Sequence, residues 1–155
     1  MANFTIADIK AQREQLGTGM VDTKKALEEA DGNVDKAVEI LRLKGAKGNA
    51  KRADRSTSEG LVAARELPGQ VTIIELACET DFVAKNDRFI ALADKVADAA
   101  AAVGAENAEA ALAAAAGSGT IEDLINDEAA IIGEKVELRR VRTLKGEHFA
   151  VYLHK

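Results

Sequence analysis

Apolar residues first recur at helical spacing in Ile6, Ile9 and Leu16, which predicts a helix from about Ile6. Thr5 stands before it as an N-cap, and Asp8, three residues on, complements the helix dipole. Phe4 is placed to pack on Ile9 as a hydrophobic staple. Gly17-Thr18-Gly19 stops this helix, and Asp22 is expected to cap a second, which carries Ala26, Leu27 and Ala30. Asp31-Gly32 ends it with a glycine suited to a left-handed cap, and Asn33 opens a third. Val34, Ala37, Val38, Ile40 and Leu41 form the buried stripe of that helix, and Gly45 is its expected stop. The pattern predicts a three-helix bundle over residues 1–45.

From 46 to 58 apolar side chains nearly vanish while Lys47, Lys51, Arg52 and Arg55 crowd together, so this stretch reads as a basic, partly helical, solvated linker. Beyond it the period changes. Leu61 to Ala64, the Pro68-Gly69 turn and the apolar run from Val71 to Cys78 predict a hairpin whose second strand is central. Asn86 or Asp87 caps a helix with Phe89, Leu92, Val96 and Val103 on one stripe. Ala108 to Ala116 reads as a further alanine-rich helix ended by Gly117-Ser118-Gly119. Thr120 with Asp123 opens another, burying Ile121, Leu124 and Ile125 and ending near Gly133. Val136 and Leu138, then Phe149, Val151 and Leu153 past a Lys145-Gly146 turn, complete an antiparallel sheet. The fold class is α+β, with residues 59–155 as a core subdomain backed by helices on one side.

Composition narrows the chemistry. Aromatics make up 3% of the 155 residues and Trp is absent, so the core must be aliphatic and alanine-rich, which favours closely packed helices. Residues 1–55 hold 11 Lys and Arg against 9 Asp and Glu, and residues 56–155 hold 10 against 17. An acidic back half disfavours a phosphate-backbone binder, and a protein partner suits this balance better. The single Cys78 excludes an intramolecular disulfide, and no long apolar run is present to span a membrane. The expectation is a soluble, cytoplasmic protein.

Catalytic patterns are thin. No Gly-rich run leads to Gly-Lys-Ser/Thr, so a P-loop hydrolase is not indicated. His148 and His154, read as sharing one strand face, lack a further donor for a metal and are better explained as surface residues. A Cys78/His154 nucleophilic pair is conceivable, but Cys78 ends an apolar strand and reads as a buried, inert thiol. Two turns hold apolar residues that their own domain does not obviously need. In Leu16-Gly17-Thr18-Gly19-Met20-Val21, Met20 either fills the bundle or meets a partner. In Cys78-Glu79-Thr80-Asp81-Phe82-Val83, the Phe82 ring is either a lid tucked on the core or a group offered outward.

The segment from Arg13 to Leu27, REQLGTGMVDTKKAL, and the segment from Glu79 to Asn86, ETDFVAKN, resemble the two signature motifs of bacterial elongation factor Ts. The run Gly133-Glu134-Lys135-Val136-Glu137-Leu138-Arg139-Arg140-Val141 is similar to a third stretch of that family. The resemblance implies a guanine-nucleotide exchange factor for elongation factor Tu, with a bundle like a ubiquitin-associated domain followed by a core that grips the GTPase. Residue by residue, it implies that Asp81 and Phe82 enter the GTPase near its magnesium and phosphate site. Met20 and Val21 match the turn that contacts the nucleotide-binding domain, and His154 matches a partner-facing histidine. The implied partner-binding set is Leu16, Gly19, Met20, Val21, Thr80, Asp81, Phe82, Val83 and His154. No catalytic residue, metal or cofactor is implied, and neither membrane nor direct nucleic-acid contact is expected.

Members of the family usually continue into a second core subdomain. The chain therefore looks like an N-terminal portion, and an open edge on the terminal strand would invite homodimerisation. The alternative to exchange is a protein-binding adaptor or a dimerisation module.

Overall fold

A computed structural model describes residues 3–154. The helix α1 (Ile6–Leu16) starts in a complete capping box: the Asp8 amide donates to the Thr5 hydroxyl, and the Thr5 amide donates to Asp8 Oδ2 at 2.6 Å. Both partners are local in sequence, so the cap forms as the pattern predicts. The helix α2 (Met20–Glu29) departs from expectation, because Gly19 is its N-cap and Asp22 lies in the first turn, where Lys44 pairs with it. The Thr23 hydroxyl donates to the Gly19 carbonyl at 2.9 Å, beside the helical bond from its own amide to the same oxygen at 3.0 Å. Asn33 caps α3 (Val34–Lys51) as predicted. Ile9, Ala26, Leu27, Ala30, Ala37 and Leu41 form a small core among the three helices, with Phe4, Leu16 and Ile40 packed against it. Ile6 and Val34, assigned to buried stripes by periodicity, lie on exposed faces instead.

Gly45 does not end α3, which runs on to Lys51. A glycine inside a helix costs about 1 kcal/mol relative to alanine, and here packing offsets that cost: a Cβ at Gly45 would stand 3.0 Å from Ala130 Cβ on α7 (Ile121–Ile132). Asn49 Nδ2 donates to the Asn126 carbonyl at 2.9 Å across the same seam, and Arg42 pairs with Asp127 at 3.7 Å. Part of the expected linker is thus a packed helical turn, with Arg52 half-buried while Lys47, Lys51 and Arg55 stay exposed.

The sheet contains β1 (Glu59–Leu67), β2 (Gln70–Cys78) and β5 (Glu137–Lys145), antiparallel in the order β1-β2-β5, so β2 is central as predicted. Ile74 sits opposite Ala63 on one side and Val141 on the other. This face is covered by α5 (Asp87–Ala102), capped by Asn86, whose Phe89, Leu92, Val96 and four small alanines are buried. Short alanine side chains let that helix approach the strands closely. Val103, expected on the same stripe, is exposed.

Two further expectations fail. The alanine-rich helix is only α6 (Ala108–Leu112), since β3 (Ala115–Ala116) and β4 (Gly119–Thr120) then pair as a minimal hairpin. Residues 147–154 form no strand although their apolar residues alternate, because β5 already occupies the edge position and ends at Lys145. His148 and His154 therefore lie in an irregular segment rather than on a strand face. No helix among the described residues is long and apolar enough to cross a membrane.

Candidate functional site

The candidate residues fall on three separate segments. At the first, Gly17 ends α1 in a left-handed conformation with its amide bonded to the Arg13 carbonyl. The Thr18 and Thr23 hydroxyls then lie 2.7 Å apart and fix the entry to α2. Leu16 is half-buried against the bundle core, while Met20 and Val21 are 56% and 65% exposed, so Met20 does not fill the bundle. A groove of about 370 Å³ runs beside this turn between α3 and α7, bordered by Leu16, Gly19, Leu41 and Ile131.

At the second segment β2 runs into α4 (Asp81–Ala84), one helical turn capped by the Thr80 side chain. Phe82 is 82% exposed, which removes the alternative of a lid on the core, whereas Val83 and Ala84 on the opposite side pack against it. Asp81 is also exposed and pairs with Lys85 one turn on, at 3.3 Å.

The backbone beneath this turn is held from outside. Glu134, just past the Gly133 cap of α7, accepts from the Glu79 and Thr80 amides at 3.1 Å each and from the Thr80 hydroxyl at 2.7 Å. Glu79 reciprocates by accepting from the Lys135 amide at 2.7 Å, and Arg55 pairs with Glu79 at 3.4 Å. The sequence assigns no role to Glu79 or Glu134, although both lie in the stretches that resemble the family. Their partners are some 55 residues away along the chain, beyond the reach of any local pattern.

Cys78 is fully buried beneath the same turn, and its thiol donates to the Thr80 carbonyl at 3.3 Å. Burial first, and then the Glu134 carboxylate, push its pKa up to about 11, which leaves the thiol protonated and a poor nucleophile. The third segment holds His154, exposed beside an exposed Tyr152 with ring centres 6.2 Å apart. Among the described residues no three His, Cys, Asp or Glu side chains are grouped to hold a metal ion.

This architecture defines an α+β protein with helices at its N-terminal end and a helix-backed antiparallel sheet behind them. The sequence model of the family described as Elongation factor TS matches residues 79–155. A curated relative, Elongation factor Ts of Leifsonia xyli subsp. xyli (strain CTCB07), is 72% identical over 156 residues, which cover all of this chain and 56% of that protein. The protein of the same name from Clavibacter sepedonicus is 64% identical over 155 residues, again 56% of its length. That of Beutenbergia cavernae is 56% identical over 161 residues, 57% of its length. The chain belongs to the elongation factor Ts family and spans about half the length of these relatives.

Proposed function

We propose that the chain acts in translation elongation as a guanine-nucleotide exchange factor for elongation factor Tu, accelerating release of GDP without covalent chemistry. The observation that carries this is Phe82, an aromatic ring 82% exposed on a turn whose backbone is hydrogen-bonded at both ends. An exposed phenyl group loses hydrophobic stabilisation in water and regains it when buried in a partner. Bound GDP is held by magnesium coordination and by amides around its phosphates. A ring and a carboxylate, Phe82 and Asp81, driven into that region displace some of those contacts. By linkage, a factor that binds the nucleotide-free GTPase more tightly weakens GDP by the same factor.

Met20 and Val21 are proposed as a second contact, with Leu16 and Gly19 shaping their turn. Thr80 and Val83 seat the Asp81–Phe82 turn, and His154 is proposed as a third contact. Contacts on separate segments limit the partner's freedom to rotate and give the wedge a fixed direction. The proposed division is a ubiquitin-associated-like bundle and an α+β core subdomain, joined near residues 46–58.

The test is direct. The purified chain is added to elongation factor Tu loaded with a fluorescent GDP analogue, and release is followed in the presence of excess GDP. Faster release, saturating with chain concentration, is expected. Binding without acceleration would mark an adaptor instead.

A further inference from the structure

The stretch Gly133-Glu134-Lys135 has no task in the proposed exchange step, yet it makes the densest polar contacts to the turn that carries Phe82. Glu134 gathers three donors from residues 79 and 80, and Glu79 takes the Lys135 amide in return. The end of β2 and the exit from α7 are therefore cross-linked in both directions. Lys135 Nζ also donates to the Ala53 carbonyl at 2.7 Å, and Arg55 to Glu79, so the segment leaving α3 joins the same knot.

A helix of four residues cannot hold its own direction, because the first turn fixes several dihedrals in return for a single hydrogen bond. The orientation of α4 must come from its two ends. Val83 and Ala84 pin the inner side to the core. Thr80 sets the entry angle, and the group that fixes Thr80, through both its amide and its hydroxyl, is Glu134. Charge-assisted bonds to a half-buried carboxylate are stronger than neutral ones, and their loss would leave the amides of residues 79 and 80 without these acceptors.

We propose that Glu134 is a positioning residue for nucleotide exchange. It pre-orients the Asp81–Phe82 turn so that the wedge enters its partner without first being ordered. A turn ordered only on docking would spend part of the binding free energy on that ordering. The inference rests on the role proposed above for Phe82.

The test compares the chain with its Glu134→Ala, Glu134→Gln, Phe82→Ala and doubly substituted Phe82→Ala/Glu134→Ala forms, using elongation factor Tu and the fluorescent GDP analogue. Glu134→Ala is expected to lower the maximal release rate about tenfold or more, the scale on which small misplacements of an acting group are felt. The half-saturating concentration should move less, because the Met20–Val21 contact remains. Glu134→Gln keeps an oxygen for the two amides and offers its NH2 to the Thr80 hydroxyl, so it should restore most of the rate. In the Phe82→Ala background, Glu134→Ala should have little further effect.

Amide exchange by NMR should show loss of protection at Thr80 in Glu134→Ala and its retention in Glu134→Gln. Should Glu134→Ala not fold, Glu134→Asp, one methylene shorter, takes its place with the same expected pattern. Wild-type release by Glu134→Ala alongside slow release by Phe82→Ala overturns the positioning role alone. So does a loss that simply adds to that of Phe82→Ala, or unchanged protection at Thr80. If Phe82→Ala matches the wild-type chain, it is the role of Phe82 that falls, and the positioning role falls with it.

Discussion

Gly17 and Ile131 meet across the seam between the helical bundle and α7, where a Cβ built on residue 17 would stand 2.8 Å from Ile131 Cδ1. Gly17 has φ +64 and closes α1. Ile131 Cδ1 is the end of a flexible side chain and can shift, so the left-handed backbone dominates the effect of a substitution. Gly17→Ala is expected to cost roughly 1–2 kcal/mol, read as a lower urea midpoint with an unchanged m-value. An unchanged midpoint would mean that α1 does not need this left-handed end.

Phe82→Ala should separate activity from stability. Truncating a core phenylalanine costs roughly 3–5 kcal/mol, but a ring this exposed has little to lose, and a change within about 0.5 kcal/mol is expected. GDP release stimulated by the chain should slow markedly. Asp81→Ala should behave alike, since its exposed pair with Lys85 is worth only about 0.3–0.5 kcal/mol. Normal stimulation by folded Asp81→Ala would remove the carboxylate from the mechanism.

The local features of the fold were legible because they are made by neighbours in sequence. Thr5 with Asp8, Asn33, Asn86, and Thr120 with Asp123 all cap the helices they precede. Pro68-Gly69 turns the hairpin, and the apolar run of β2 marks the central strand. Other expectations failed because they depended on distant partners. Gly45 reads as a stop until Ala130 is seen beside it, and residues 149–153 alternate like a strand but find no ladder. The exposure of Phe82 is likewise set by α4's packing, and the Glu79–Glu134 exchange of hydrogen bonds spans two turns that no spacing rule connects.

Met20→Asp tests the other proposed contact. Residue 20 is the first of α2, where a carboxylate favours the helix dipole, so far-ultraviolet circular dichroism should not change. A charge buried without a partner in an apolar interface is costly. Affinity for elongation factor Tu by calorimetry should fall at least about tenfold, equivalent to about 1.4 kcal/mol. Unchanged affinity would take this turn out of the interface, and a loss of helicity would instead return Met20 to the bundle.

Cys78 supplies the pH dependence. Its thiol would ionise near 9.0 in the unfolded chain but near 11 in the native one, with burial as the main cause and the Glu134 carboxylate as the second. Between those values the unfolded state binds fewer protons than the native state, so the thiol's contribution makes stability fall as pH rises from about 9 toward 11. Other charge changes across this window are common to a Cys78→Ala form. The wild-type chain should therefore lose stability more steeply than Cys78→Ala when urea midpoints are compared across the window, whatever the offset left by the missing sulfur. At pH 8 the native thiol should react with a disulfide reagent only through opening of the β2–α4 junction, far more slowly than in urea. Parallel stability curves for the two forms, or fast native labelling, would show that the thiol is not held protonated beneath the Thr80 turn.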